Sequence, residues 1–235
     1  MATAGSMTPH PYYPQDLILD HYVANTNTVF HTLVYVSIGF FTVLGLVGVL
    51  GYPRRHSTLG PLGEKVAFFW FILCASLHLG FEGYYDIYHA TLAGDNSPIA
   101  QVWKEYALSD SRYLTSDSFV RVVEAITTLA WGPLSVYCAW SLYHNLPSRH
   151  IAQLMLSLAH IYGCTLYYAT SIFEGSPHSD PDPYYYYLYF WFFNSFWLLF
   201  PAYLLQDSIR VLVKAVGDAE RVSAAEKKSK DKKLH

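Results

Sequence analysis

The chain has 235 residues, 52% hydrophobic, 17% aromatic and only 14% charged, against about 25% charged in a soluble domain. That balance excludes an ordinary soluble fold and describes a polytopic membrane protein. The formal net charge of -3 hides a basic tail on a mildly acidic body. The tail is too short, and too poor in interleaved aromatics, for nucleic acid.

Residues 1–28 are polar, include His10-Pro11-Tyr12-Tyr13-Pro14, and hold Asp16 and Asp20 but no Lys or Arg. With no basic stretch ahead of an apolar core, they are not expected to act as a cleavable signal peptide. The first predicted span, 29–52, is almost wholly apolar, bears glycines and reads as an anchor. A loop with Arg54, Arg55 and Lys65 follows. The second span, 66–92, carries His78 and Glu82, with Asp86 a further turn on. A long mixed segment, 93–118, contains Trp103-Lys104-Glu105-Tyr106 and Asp110-Ser111-Arg112-Tyr113.

The third span, 119–143, has Glu124, Thr127 and Thr128 in its first turns. Trp131-Gly132-Pro133 then predicts a kink, because Pro133 has no N–H for the helix ladder. The fourth span, 151–173, carries Gln153, His160, Tyr162 and Thr165, and leads into a Pro-rich acidic loop, 174–183. The fifth, 184–205, opens with four tyrosines, as an interfacial belt does, and carries Asn194 and Trp197. Residues 206–235 form the charged tail. Cys74, Cys138 and Cys164 sit in apolar runs without metal-like spacing and read as reduced core residues.

Each span can cross a hydrocarbon core of about 30 Å at about 1.5 Å per residue. Five spans put the termini on opposite sides. Twelve of the 15 Lys and Arg fall on the tail's side, so the C-terminus is expected in the cytosol and the N-terminus opposite. Lys232 and Lys233 then look like a dilysine retrieval signal of the endoplasmic reticulum. The alternative is a generic solubilising tail.

Ionisable groups inside a bilayer cost roughly 2.5–3.5 kcal/mol each on insertion scales, so they belong in a protein interior or cavity. Three spans each present a polar pair at helical spacing: His78 with Glu82, Glu124 with Thr127, and Asn194 with Trp197. If these faces meet, they make a carboxylate-rich pocket with an imidazole, an amide, a hydroxyl and an indole. Two carboxylates and a His can give and take protons, and a Trp face beside a carboxylate stabilises a transient cation. The bland alternative is a mutually satisfied His–Glu pair that only joins helices. His78 and Glu82 could also ligate a metal, but no clear third and fourth ligand stands out.

The chain resembles the emopamil-binding protein family, the 3β-hydroxysteroid Δ8-Δ7 isomerases of sterol biosynthesis. The resemblance is carried by His10-Pro11-Tyr12, His78 through Glu82-Gly83, the WKEY and DSRY blocks at 103–106 and 110–113, and Glu124 through Thr127. It continues through Trp131-Gly132-Pro133, Tyr162-Gly163, Phe190-Trp191, Asn194, Trp197 and Pro201. It implies an all-α integral membrane protein of the endoplasmic reticulum with five transmembrane helices, the last four (66–205) bundled around a sterol pocket. It implies protonation of sterol carbon 9, a carbocation near carbon 8 and proton loss from carbon 7, with no cofactor and no metal. On this resemblance His78, Glu82, Glu124, Asn194 and Trp197 are expected to be catalytic. Thr127, Trp131, Tyr113, Phe190 and Tyr106 are expected to contact substrate.

Glu124 and the His78–Glu82 pair would share the donor and acceptor roles on opposite ring faces. Trp197 would stabilise the cation, while Asn194 and Thr127 hold the proton-transfer groups. For the 103–113 segment a structural role, capping the bundle with an Asp110–Arg112 ion pair, is the favoured alternative to sterol contact. Expected partners are a sterol substrate, membrane lipid and cationic amphiphilic drugs, with a homodimer left open. The competing reading is a non-catalytic binder, since a carboxylate pocket with a Trp also takes protonated amines.

Overall fold

Long apolar stretches leave the backbone no option in a bilayer but to satisfy itself, and that means helices. The computed structural model describes residues 9–19, 21–50 and 60–233, and among these there is no strand. Arg54, Arg55, Leu234 and His235, and the end of the first predicted span beyond Leu50, lie outside the described residues.

Helix α1 (Val29–Leu50) is followed by α2 (Gly60–Ser76), which starts earlier than the sequence suggested and takes in Lys65. Its axis continues through a π-helical turn, Leu77–Glu82, into α3 (Gly83–Tyr88), so the helix stops at Tyr88 rather than 92. A short α4 (Pro98–Tyr106) crosses the long mixed segment. Ser97 caps it, its hydroxyl accepting from the Ala100 amide at 3.3 Å, with Pro98 in the first turn where no N–H is needed. Asp117 caps α5 (Ser118–Ile126), accepting from the amides of Phe119 and Val120, both at 3.0 Å. A second π-turn, Thr127–Trp131, joins α5 to α6 (Gly132–Tyr143). The kink expected at Trp131-Gly132-Pro133 takes this form: the Gly132 amide reaches back to the Thr127 carbonyl, and Pro133 falls in the first turn of α6. Helix α7 (Arg149–Phe173) and a π-helical run, Tyr184–Phe193, lead into α8 (Asn194–Lys233).

Four helical stretches are long and apolar enough to cross a membrane: Val29–Val49, Leu62–Tyr88, Ser118–Tyr143 and Tyr184–Lys232. Helix α7 is a fifth of sufficient length, with 25 residues. It is less apolar because it brings Gln153, Ser157, His160 and Ser171 into the interior. The protein is an all-α membrane protein. Helix α7 packs along α8, α2 against α6, and α6 against α7. Helix α1 touches α2 and α4 and leaves Phe30, Val36, Ile38, Phe41 and Val49 exposed. A soluble protein rarely shows so continuous an apolar face, whereas lipid accepts it.

The two ends of the bundle are closed differently. At one end α4 is sewn to the N-terminal segment. The Gln101 side chain accepts from the amides of Thr26 and Asn27 at 2.9 and 2.8 Å. Lys104, 0% exposed, donates to the Val23 carbonyl and to Asn96 Oδ1, each at 2.7 Å. Arg112 forks onto Asp110 through Nε and Nη2 at 2.9 and 2.7 Å, with its guanidinium over the Tyr167 ring at 5.4 Å. Asp110 and Arg112 therefore form a buried ion pair. At the other end Glu64 of α2 pairs with buried Arg149 of α7 at 3.0 Å. Gln153 donates to Asp207 at 3.2 Å.

Candidate active site

Two of the π-turns meet: Leu77–Glu82 packs against Thr127–Trp131. Such turns shift the hydrogen-bond ladder by one residue and are frequent at functional sites. Their approach is close. A Cβ added at Gly132 would lie 2.6 Å from Leu79 Cδ2 and 3.4 Å from His78 Cβ, so only glycine fits there without displacing Leu79.

Within the first π-turn His78, 1% exposed, bonds through Nδ1 to Glu82 Oε2 at 2.7 Å. The predicted pairing is present, with Glu82 at 15% side-chain exposure as the more open partner. The other ring nitrogen of His78, Nε2, lies 3.0 Å from Nε2 of His160 on α7. A carboxylate and two imidazoles thus form one hydrogen-bonded row. His160 Nδ1, at its far end, is buried without a hydrogen-bond partner.

Glu124, buried on α5, accepts from the Tyr113 hydroxyl at 2.7 Å. Helix α5, which carries it, packs against the π-turn that carries Glu82. Burial, and then the Glu124 charge, push the Tyr113 phenol well up from its ordinary range, so Tyr113 is the donor in this bond. The Tyr113 ring lies against Tyr106 at 5.4 Å between centroids, and the Tyr106 hydroxyl donates to Asn194 Oδ1 at 3.2 Å. The Asn194 amide in turn donates to the Phe190 carbonyl at 2.8 Å. Glu124, Tyr113, Tyr106 and Asn194 are therefore linked from α5 through the capping segment to α8.

The remaining predicted residues fall in different places. Trp197, half-buried, packs on Trp70 at 5.6 Å. Trp70 stands edge-on to His160 at 6.4 Å, which puts Trp197 on the imidazole side. Thr127, half-buried, turns its hydroxyl back to the Val123 carbonyl at 2.9 Å. Trp131 is half-buried beside α2 and α6. Phe190, 0% exposed, is packed in the core against Tyr168 and Tyr186. Lys232 lies on the exposed end of α8.

Sequence reasoning left His160 out of the constellation, although it was the one histidine deep in the fourth span. It also missed that Tyr113 serves Glu124, and that Trp103 donates to the Phe81 carbonyl of the first π-turn at 3.1 Å.

The fold and site define a class: a multi-pass helical membrane protein whose titratable side chains gather in the interior where helices switch to π geometry. Comparison with known proteins places the chain more closely. The profile of EXPERA, the expanded EBP superfamily, matches residues 98–208. The chain is 36% identical over 214 residues to the 3-beta-hydroxysteroid-Delta(8),Delta(7)-isomerase of Cavia porcellus, covering 89% of this chain and 92% of that one. It is 37% identical over 217 residues to the Mus musculus protein of the same description, covering 91% and 93%. It is also 33% identical over 202 residues to a protoglabretal synthase of Ailanthus altissima, covering 85% and 90%. The chain belongs to the emopamil-binding protein family.

Proposed function

We propose that the protein is a sterol isomerase that moves a ring double bond from the Δ8 to the Δ7 position. The observation that carries this reading is the packing of the π-turn that holds His78 and Glu82 against α5, which holds Glu124, in a chain so similar to curated Δ8,Δ7-isomerases. A protonated group on one side delivers a proton to sterol carbon 9. The positive charge that develops near carbon 8 is held by a carboxylate and the Trp197 face. A basic group on the other side takes the proton from carbon 7. The proton given and the proton taken balance, so the substrate is neither oxidised nor reduced. Asn194 and Thr127 position these groups, and Trp131, Tyr106, Tyr113 and Phe190 shape the apolar surroundings. Tyr113 does so by holding Glu124, and Phe190 from within the core.

The protein works in the membrane of the endoplasmic reticulum, with its N-terminal side lumenal and its basic α8 end cytosolic. Cationic amphiphilic drugs compete with sterol because a protonated amine resembles the cation.

The test is conversion of a Δ8 sterol by microsomes carrying the protein, run in heavy water. Δ7 product with deuterium at carbon 9 is the expected result. No product, with binding of cationic amphiphiles intact, would support the non-catalytic binder instead.

A further inference from the structure

Beneath the first π-turn, the free thiol of Cys74 is fully buried one helical turn before His78. Its sulfur, one ring nitrogen of His78 and one of His160 all lie within 4.8 Å of one another. Cys74 and His78 share a face of one helix, and His160 comes from α7, 82 residues further along the chain. Sequence spacing alone offered no third ligand; the packing of α7 supplies it.

The chemistry of this set is specific. One thiolate and two imidazoles suit a borderline-soft ion such as zinc. Tetrahedral zinc, with Zn–N of about 2.0–2.1 Å and Zn–S of about 2.3 Å, requires donor separations of about 3.3–3.6 Å. The two Nε2 atoms stand at 3.0 Å, and the whole set is within about an ångström of that geometry. The remaining nitrogen of His78 is already bonded to a carboxylate, Glu82 Oε2 at 2.7 Å. A carboxylate behind the ring is the usual support of a metal-bound histidine, fixing its tautomer and raising its basicity. His160 Nδ1 is buried and unpartnered, so it is free to receive the hydrogen that its Nε2 must give up to a metal.

We propose that Cys74, His78 and His160 bind a divalent ion of the zinc class, and that occupancy stops turnover by taking His78 out of proton transfer. The inhibitory half rests on the catalytic reading of His78; the binding half does not. On binding, the Cys74 thiol loses its proton to solvent and the His160 proton moves from Nε2 to Nδ1, with no change of oxidation state. The thiolate and the Glu82 carboxylate together balance the two positive charges.

The test uses the full chain purified in detergent, titrated with cobalt(II) as an optical probe and with zinc(II) in the isomerase assay. The wild type should give a saturable thiolate-to-cobalt charge-transfer band that zinc bleaches, and zinc should inhibit turnover reversibly, relieved by a chelator. Cys74→Ala should keep basal turnover, lose the band and lose zinc sensitivity. Glu82→Gln should weaken cobalt binding about 10–100-fold, as expected for loss of such a carboxylate. Absence of the band in the wild type, or zinc inhibition that persists in Cys74→Ala, overturns the site. A band that Cys74→Ala abolishes, without inhibition of the wild type, confirms the metal site and instead removes His78 from the catalytic assignment.

Discussion

His78 Nε2 and His160 Nε2 are 3.0 Å apart, close enough that one hydrogen lies between them and both rings cannot be protonated there. Because Glu82 holds the opposite nitrogen of His78, the His78 ring is bonded on both sides, and its tautomer is tied to that of His160. His160→Leu should release that constraint. We expect turnover to fall with little change in KM, and the pH profile of kcat to shift, since His78 would be free to take a second proton. An unchanged pH profile would reduce His160 to a packing residue.

The two carboxylates should be separately indispensable. Glu82→Gln and Glu124→Gln each remove one acid–base group while keeping size, and each should lower isomerase turnover by about a hundred- to ten-thousand-fold. If both retained near-full conversion of a Δ8 sterol, the proton-transfer assignment would collapse.

Tyr113→Phe deletes the hydroxyl that donates to Glu124 at 2.7 Å. Its loss leaves a buried polar group short of a partner, at a cost of about 1–3 kcal/mol. Turnover should fall more than substrate affinity, measured by separating kcat from KM. A fall in affinity alone would return Tyr113 to the direct sterol-contact role.

Gly132→Ala drives a Cβ into Leu79. Overpacking of this kind costs about 1–3 kcal/mol, and it presses on the turn that holds His78. Adding Leu79→Ala makes room, so the double variant should recover much of the lost thermal stability and activity. A strictly additive double mutant would show that the two turns do not couple.

Lys104 gives the capping segment a pH dependence with a definite sign. Burial is the largest influence and brings its ammonium from 10.5 down to about 8, with Asp95 opposing. Between about 8 and 10.5 the unfolded chain holds a proton that the folded chain has released, so Lys104 raises stability with pH across that window. Below about 8 both states are protonated and the cost of the buried charge is felt in full. The thermal midpoint of the wild type, relative to Lys104→Met, should therefore climb from pH 8 toward 10.5; a flat difference would contradict it.

The fold was largely readable because bilayer solvation forces apolar runs into helices, and the pairs within one helix were readable because helical spacing is local. His78 with Glu82 is such a pair. His160 was not readable as its partner, since 82 residues separate them and polarity along α7 hides which face turns inward. The Tyr113–Glu124 bond spans only 11 residues but crosses a turn whose geometry no periodicity encodes. Of the π-turns, only the second left a trace, in Gly132-Pro133. The buried Arg149–Glu64 pair was not readable for the same reason as the His78–His160 contact: its partners lie far apart in the chain.

Helix α8 is continuous from Asn194 to Lys233, 40 residues, with Pro201 inside it, about 60 Å at the usual rise. About half of that length is enough to leave the hydrocarbon. Lys232 is therefore carried on a rod joined directly to the residue that meets Tyr106, not on a slack tether. Whatever binds the basic end meets it at a distance from the membrane set by the helix, and any tilt of α8 at Asn194 swings that end through a wide arc.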